Sequence, residues 1–539
     1  MSKTISQTLV EEKQHSTVLQ KIIALNAKLS ELLRPWLVPF AIFVLWWFAS
    51  EAQWMPAQIL PSPQDVAQRA LELFQADLLS HVAISLQRLF MGLIAGIIAG
   101  FLIGIALGYN TLADKLVSPI FYALSLIPTL AWLPILMMWL GIENALKVFL
   151  IFKATLIPIV IHTHSGVRDI QPQLKEVALT LRLTVLQKLY KLILPATLPA
   201  FLTGLRLAIA ASWTTLIAVE LMASSEGIGY LMVQGRQLFQ LDIVFVCIAV
   251  IALIGVALDQ IFNRLEKGII RWPNSALTAL VKPKETGLWS TALLKLILPV
   301  SLAILWWVSG QWAWVSNEVL PAPELVFETL ITGLKDGSIS IALHNTIYRA
   351  LLGLVIGGGL GILTGIVLGL NRTLNGLFSP MLNVLRLIAI FAWIPFITAW
   401  GGVDNTAKVI FISIATFFPL YISTWKGVEN LSNQHVEVAD IFRLNQTQQL
   451  KYLLFPSITP AVFSGLRVAL LYSWMASFGA EYLMGSGTGI GTYMIAAQQH
   501  FEMERVLAAT VLVAILGAFF AWAGTTLESY ASAWRNQQR

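Results

Sequence analysis

Charge is what this 539-residue chain has least of: Asp, Glu, Lys and Arg make up 12% of it, about half the share of a soluble domain. So little polar surface cannot cover several globular domains, and lipid must be the solvent for much of the molecule. Cysteine is nearly absent. The single Cys247 excludes an internal disulfide and a cysteine-rich metal site, and the apolar run around it, Val244 to Leu253, reads as the setting of an inert thiol. No Gly-x-x-x-x-Gly-Lys-Ser/Thr phosphate loop occurs. Neither a metal-spaced His/Cys/Asp set nor a Ser/His/Asp arrangement points to an enzyme. His162 and His164 stand close together, but a place at the end of a span accounts for them. The net charge of +6 comes from basic residues gathered between apolar runs, as membrane topology requires, rather than from a nucleic-acid-binding stretch.

Apolar runs are what the sequence holds in quantity. About 20 helical residues cross a hydrocarbon core. Such runs fall at roughly 36–50, 83–108, 116–141, 146–164, 197–223 and 243–263, and again at roughly 292–310, 345–370, 378–400, 407–424, 459–484 and 506–527. The expected fold is an all-α polytopic membrane protein with about twelve spans. Lys and Arg set its orientation. Lys3, Lys13, Lys21, Lys28 and Arg34 precede or open the first run. Arg168, Lys175, Arg182, Lys188 and Lys191 lie between the fourth and fifth, with Lys426, Arg443 and Lys451 in the matching second loop. Arg264, Lys267, Arg271, Lys282 and Lys284 join the halves. With twelve spans all of these share one side, expected to be the cytoplasm, and both termini lie there. The expected divisions are a cytoplasmic tail over 1–33, with a short amphipathic helix near Val18–Leu33 and no cleavable leader, a first unit over 34–265, a cytoplasmic linker over 266–290, a second unit over 291–530 and a tail over 531–539.

The two units are copies. Trp46-Trp47 and Leu60-Pro61-Ser62-Pro63 recur 260 positions on as Trp306-Trp307 and Leu320-Pro321-Ala322-Pro323. At an offset of 261, Arg88 and Gly92 become Arg349 and Gly353, Trp132-Leu133-Pro134 becomes Trp393-Ile394-Pro395, and Gly141-Ile142-Glu143-Asn144 becomes Gly402-Val403-Asp404-Asn405. Gly204-Leu205-Arg206 and Ser212-Trp213 return as Gly465-Leu466-Arg467 and Ser473-Trp474, and Gly227-Ile228-Gly229 returns 262 positions on as Gly489-Ile490-Gly491. Six spans bring each half back to the side where it began, so the copies are parallel repeats about an axis along the membrane normal, and a pathway is expected between them.

The basic loop between spans four and five reads Lys175-Glu176-Val177-Ala178-Leu179-Thr180-Leu181-Arg182-Leu183 and runs on to Pro195. Its copy reads Glu437-Val438-Ala439-Asp440-Ile441-Phe442-Arg443-Leu444 and runs on to Pro456, the Glu-to-Pro distance being 19 positions in both. Each is an amphipathic helix, a turn and a helix feeding the next span. A bland positive-inside loop would not need this length or this duplication. The Glu-x-Ala spacing resembles the signature loop of ABC importer permeases of the type I fold. Leu-Pro-x-Pro, Trp-[Leu/Ile]-Pro and Gly-Ile-Gly narrow the resemblance, over nearly the whole chain, to the nitrate/sulfonate/taurine-type permeases, here as two units fused in one chain.

That resemblance implies a subunit of a bacterial inner-membrane importer for a small solute. It implies two partner ABC ATPase subunits that use ATP and Mg, a solute-binding protein as a further partner, and no cofactor bound by this chain. Helices from about Val177 to Leu186 and from about Val438 to Gln448 would seat on the ATPases, with Glu176, Ala178, Arg182, Leu183, Glu437, Ala439, Arg443 and Leu444 as the coupling residues. Arg182 and Arg443 depart from the family, which has Gly there. Either the turn is made differently or the arginines meet an acidic partner.

Ionisable residues inside spans are functional candidates by default. Lys153, with Ile414 in its place in the second copy, and Arg386, with Ser125 in its place in the first, are candidate anion contacts, or else brace helices. Glu220 and Glu481 read as braces. Pro128, Pro134 and Pro395 imply kinks in span three, which makes it a candidate pathway lining with Ser125 and Thr129. Trp46, Trp47, Trp54, Trp306, Trp307, Trp312 and Trp314 fit an interfacial belt. The rival reading is an ion-coupled secondary transporter with two six-helix repeats, which would need intramembrane acid or ion sites.

Overall fold

The computed structural model describes residues 33–269, 288–431, 437 and 441–536. The expected N-terminal tail with its amphipathic helix, most of the linker, the end of the C-terminal tail and Ala439 lie outside the described residues. Leu33–Glu51 (α1) is the first span. Ser62 then caps Pro63–Gln75 (α2): its hydroxyl accepts the Asp65 amide while the Asp65 side chain accepts the Ser62 amide, and Pro63 sits in the first turn, where no N–H is needed. Trp46 donates its indole N–H to the Pro61 carbonyl at 3.0 Å, and Trp306 does the same to Pro321. The repeated Trp-Trp and Leu-Pro-x-Pro motifs are therefore two ends of one contact. Trp46 and Trp306 are half-buried by it, while Trp47, Trp54, Trp307, Trp312 and Trp314 are exposed.

Leu78–Tyr109 (α3), Thr111–Ser125 (α4), Thr129–Leu140 (α5), Asn144–Arg168 (α6), Pro172–Thr180 (α7), Val185–Ala223 (α8), Ile228–Gln237 (α9) and Leu241–Ile269 (α10) complete the first half. The second repeats it with Leu288–Gln311 (α11), Pro323–Lys335 (α12), Ser338–Leu370 (α13), Arg372–Leu387 (α14), Ile390–Gly401 (α15), Asn405–Glu429 (α16), Gln449–Met484 (α17), Ile490–Gln499 (α18) and Met503–Asn536 (α19). Ten of the described helices are long and apolar enough to cross a membrane singly. Two bent pairs, α4 with α5 at 96° and α14 with α15 at 97°, qualify together.

How the bent pairs count is decided by α3 and α6. Gly92, Gly96, Gly100, Gly104 and Gly108 face Ile151, Thr155, Ile159, Thr163 and Val167, and a Cβ on any of these glycines would lie 2.5–2.8 Å from its partner. Residue numbers rise together along the two helices, so they run parallel. The chain between them must return to the side it left, and α4 with α5 is a full crossing made by a broken helix. Gly353, Gly357, Gly361, Gly365 and Gly369 repeat the arrangement against α16. Small residues every fourth position let backbones approach where lipid removes the hydrophobic drive between helices. Each half thus has six crossings among the described residues, twelve in all, and the halves are parallel repeats.

The bends differ from the expected proline kinks. Each second limb opens with a 3-10 turn, Thr129–Trp132 or Ile390–Trp393, and Pro134 and Pro395 lie in the first turn of the α-helix that follows it, where proline is tolerated. Pro128 precedes the first bend, but Ala389 holds its place at the second, and the angle is the same. Extended backbone breaks each span: Pro128 at ψ 141° in the first, and Ile388 at ψ 126° followed by Ala389 at ψ 124° in the second.

Each half reaches into the other. α11 packs on α4, and Arg34 of α1 reaches Gly376 of α14, so each first span lies on the other half's third. Gly255 of α10 touches the carbonyl at the end of α14: a Cβ there would lie 2.5 Å from Leu387 O. Gly517 of α19 meets Leu126 O in the same way, at 2.7 Å. A single apolar core joins Leu130, Leu133 and Leu136 to Trp474, Phe478 and Met503.

A Cβ at Gly357 would fall 2.0 Å from the Ser413 carbonyl. Gly357→Val is expected to destabilise the protein by about 1–3 kcal/mol, read as a lower thermal midpoint after purification in detergent. An unchanged midpoint would contradict the close parallel pairing.

Candidate functional site

Two regions of each half carry candidate function: the loop after the fourth crossing and the break in the third. In the loop, α7 opens on Pro172 and ends at Thr180, so it starts and stops earlier than the expected Val177–Leu186. Proline at its start fills a position with no helical acceptor. Its end is a reversal held by two bonds. Leu183 N–H donates to Ala178 O at 3.1 Å and Arg182 N–H to Leu179 O at 3.0 Å, a Schellman pattern that sets a left-handed residue at position 182. Arg182 adopts it at φ 48°, and Arg443 has the same φ. The turn is therefore the one a glycine would make, held by arginine at a cost of about 1–2 kcal/mol. Ala178 is buried beneath the reversal. Glu176 and Glu437 are exposed, and Leu183 and Leu444 are half-buried. In the second loop Ile441 is helical and Phe442–Arg443 is a turn, so that helix does not continue to Gln448 as expected.

Thr184 and Asn445 restart the chain as helix, each side chain accepting the amide three residues on while its own backbone N–H donates to that glutamine's side-chain oxygen. Next come π-helical turns, Leu189–Ile193 and Gln449–Leu454. Pro195 and Pro456 lack an N–H and press on the preceding turn. Leu194 and Phe455 accordingly donate five residues back, to Leu189 and Leu450. Val177, Leu179, Leu181, Val185, Leu186 and Tyr190 are all exposed, as are Ile441, Phe442 and Tyr452. Apolar side chains gathered on an otherwise basic face mark an interaction surface.

At the first break, Lys153 Nζ donates to Ile127 O at 3.4 Å and lies 5.2 Å from the centre of the Trp132 ring. It thus meets one of the carbonyls that helix geometry leaves free there. Ser125 ends α4 with its hydroxyl on Tyr122 O at 2.7 Å, and Thr129 opens α5, half-buried. Arg386 stands one residue before the end of α14 and is exposed. The two breaks converge near the axis between the halves. A Cβ on Gly479 would lie 2.8 Å from Phe391 and 3.6 Å from Leu130. His164 Nε2 lies 3.0 Å from Asp114 while His162 packs on Gly204, so the two histidines part. Among the described residues no group of three or more His, Cys, Asp or Glu side chains is placed to hold a metal.

The sequence did not reveal the partner of each buried glutamate. Glu220 accepts from Arg88 at 3.0 Å, from Ser85 at 2.8 Å and from the Gly229 amide at 3.1 Å. Glu481 accepts from Arg349 at 2.6 Å, from Thr346 at 2.9 Å and from the Gly491 amide at 3.1 Å. Asn144 and Asn405 each take the arginine Nε at 2.8 Å. Gly227 and Gly489 are glycines because a Cβ would sit 2.3 Å from the carboxylate. Both pairs lie at the face opposite the basic loops, joining α3 to α8 and α13 to α17. They brace helices. The signal was present only as the repetition of Arg88, Asn144 and the Gly-Ile-Gly motif.

A family model described as "Binding-protein-dependent transport system inner membrane component" matches residues 92–271 and 357–530, once in each half. The chain is 33% identical over 241 residues to a putative aliphatic sulfonates transport permease protein of Bacillus subtilis (strain 168), covering 45% of this chain and 87% of that protein. A protein of the same description from Escherichia coli (strain K12) is 36% identical over 239 residues, covering 44% and 91%. The taurine transport system permease protein of Escherichia coli (strain K12) is 31% identical over 237 residues, covering 43% and 86%.

Two measurements check this geometry. Arg182→Val, β-branched at a left-handed position, is expected to speed amide exchange at Leu183 by about tenfold or more, the rate equivalent of a strain of 1–3 kcal/mol, while Arg182→Gly preserves protection; equal exchange in both would remove the reversal. Arg349→Met leaves Glu481 buried without its cation and should cost about 3–5 kcal/mol of stability, most of it recovered when Glu481→Leu is added. A single variant as stable as the parent would rule out the brace.

Proposed function

The chain belongs to the family of binding-protein-dependent transport system inner membrane components, and from that premise we propose that it moves a small anion into the cytoplasm by alternating access, driven by two separate ATPase subunits. It is an ABC-type permease, a transport subunit rather than an enzyme. The observation that carries the mechanism is the duplicated lever. An exposed apolar helix tip, a reversal held by two backbone bonds and a π-helical joint lead straight into α8, and the second loop, with its own left-handed arginine and π-helical joint, leads into α17. A push on either tip reaches a transmembrane helix without passing through a loose connection.

In this reading each ATPase grips one tip through the exposed apolar side chains and the arginines, Glu176 and Glu437 anchor the loops, and ATP with Mg is held by those subunits. Their closure draws the tips together and shifts the two halves between inward-facing and outward-facing arrangements. The basic loops and both termini face the cytoplasm, and a solute-binding protein works at the opposite face of a bacterial inner membrane. The units 34–265 and 291–530 then act as the two moving bodies. The anion is favoured by Lys153 and Arg386, cations at the two breaks that converge near the axis, with Ser125 and Thr129 beside the first. The sulfonates named for the relatives are anions of this kind. An ion-coupled mechanism would need a free intramembrane acid, and both Glu220 and Glu481 are occupied by arginine.

Arg182→Glu combined with Arg443→Glu is expected to reduce co-purification of the co-expressed ATPase subunits about tenfold or more; undiminished co-purification would place docking elsewhere. Lys153→Gln and Arg386→Gln should each lower anion uptake in proteoliposomes. Uptake at the parent rate in both would remove the anion path from the two breaks.

A further inference from the structure

The first half fills with its own carboxylate a place that the second half leaves open. At the face opposite the basic loops, each half buries two cations beside one carboxylate: Arg88 and Lys147 with Glu220, and Arg349 and Lys408 with Glu481, none more than 4% exposed. Glu143 and Asp404 stand near both sites at matching positions and do not distinguish them. Glu226 does. Its carboxylate lies 3.7 Å from Arg88 Nη2, and its backbone carbonyl accepts Arg88 Nη1 at 2.9 Å. The Glu226 side chain is 54% exposed, so it reaches the buried guanidinium from the surface.

The repeat puts Thr488 in that position, one residue before Gly489 as Glu226 is one before Gly227. Thr488 brings no charge and is bonded to Asn345 at 2.5 Å. Arg349 spends Nη1 on Glu481 and Nε on Asn405, and Lys408 donates to the Ser486 carbonyl. The second half therefore has one carboxylate fewer beside its two buried cations than the first, Glu481 and Asp404 against Glu220, Glu143 and Glu226. The two cations converge on Gly487, which is exposed and has φ 69°. A Cβ there would stand 3.5 Å from Lys408 Nζ and 3.9 Å from Arg349 Nη2.

We propose that this notch binds a carboxylate or sulfonate group, held by Arg349 and Lys408 at Gly487 as Arg88 holds Glu226. The group comes from a free small anion or from an acidic side chain of a protein seated on this face. The proposal rests on the importer reading for the arrival of such a group, whereas its test needs no transport.

The full chain in lipid nanodiscs is titrated with methanesulfonate at constant ionic strength, with thermal unfolding as the readout. The parent is expected to show a saturable rise in midpoint. Thr488→Glu, a change at an exposed position, should start from a higher midpoint and lose the response, and Glu226→Thr should enlarge it by opening a second notch. If the parent does not respond but folded Thr488→Glu loses about tenfold or more of its association with the co-expressed solute-binding protein, the group is a protein carboxylate. A methanesulfonate response undiminished in Thr488→Glu overturns the site. So does the absence of any response together with unchanged association. Undiminished ATPase co-purification in the Arg182→Glu/Arg443→Glu variant, with this response intact, would sink the importer reading and leave the notch.

Discussion

Two helices running in the same direction at glycine contact are the constraint from which the rest of each half follows. Because α3 and α6 are parallel, the chain between them has to recross the bilayer, and it does so as a broken span. The same face of α3 that carries Gly92, Gly96 and Gly100 carries Arg88 and Ser85 one and two turns earlier, since residues three or four apart share a helix face. The stripe that admits α6 therefore ends in the cation that reaches Asn144 at the start of α6 and Glu220 on α8. Packing without voids along the membrane and a charge lock at one end are parts of one device, present twice.

Much of this was legible in the sequence because it is periodic or repeated. Apolar run lengths supplied the crossings, offsets of 260 to 262 supplied the two copies, and the Glu-to-Pro spacing located the loops. What was not legible depends on distance in space. Arg88 and Glu220 are 132 residues apart, and no local pattern pairs them. The prolines of span three suggest a proline kink, yet the chain bends equally where Ala389 takes the place of Pro128, because extended backbone breaks the helix with or without proline. A left-handed arginine runs against backbone propensity. The two backbone bonds of the reversal over-determine the turn, and they hold Arg182 where its own preference would not put it.

The two halves agree in their skeleton and differ in their charges. Glycine stripes, breaks, π-helical joints and buried Arg–Glu pairs match position for position. Lys153 against Ile414, Arg386 against Ser125 and Glu226 against Thr488 do not. The matching positions are those where backbones meet, and the mismatched ones lie at the breaks or at the outer mouth. A pair of identical subunits would place every such charge on both sides of the axis. A single chain can place it on one.

The contacts between Gly517 and Leu126 and between Gly255 and Leu387 bear on how the protein is made. Each break leaves carbonyls inside the bilayer that lipid cannot satisfy or shield, and each is covered by a helix of the other half. Leu126 belongs to the third crossing to leave the ribosome, and Gly517 to the twelfth. The first half must therefore wait in the bilayer with an uncovered break until synthesis is nearly finished. A tether between the halves shortens that wait by keeping the covering helix close at hand.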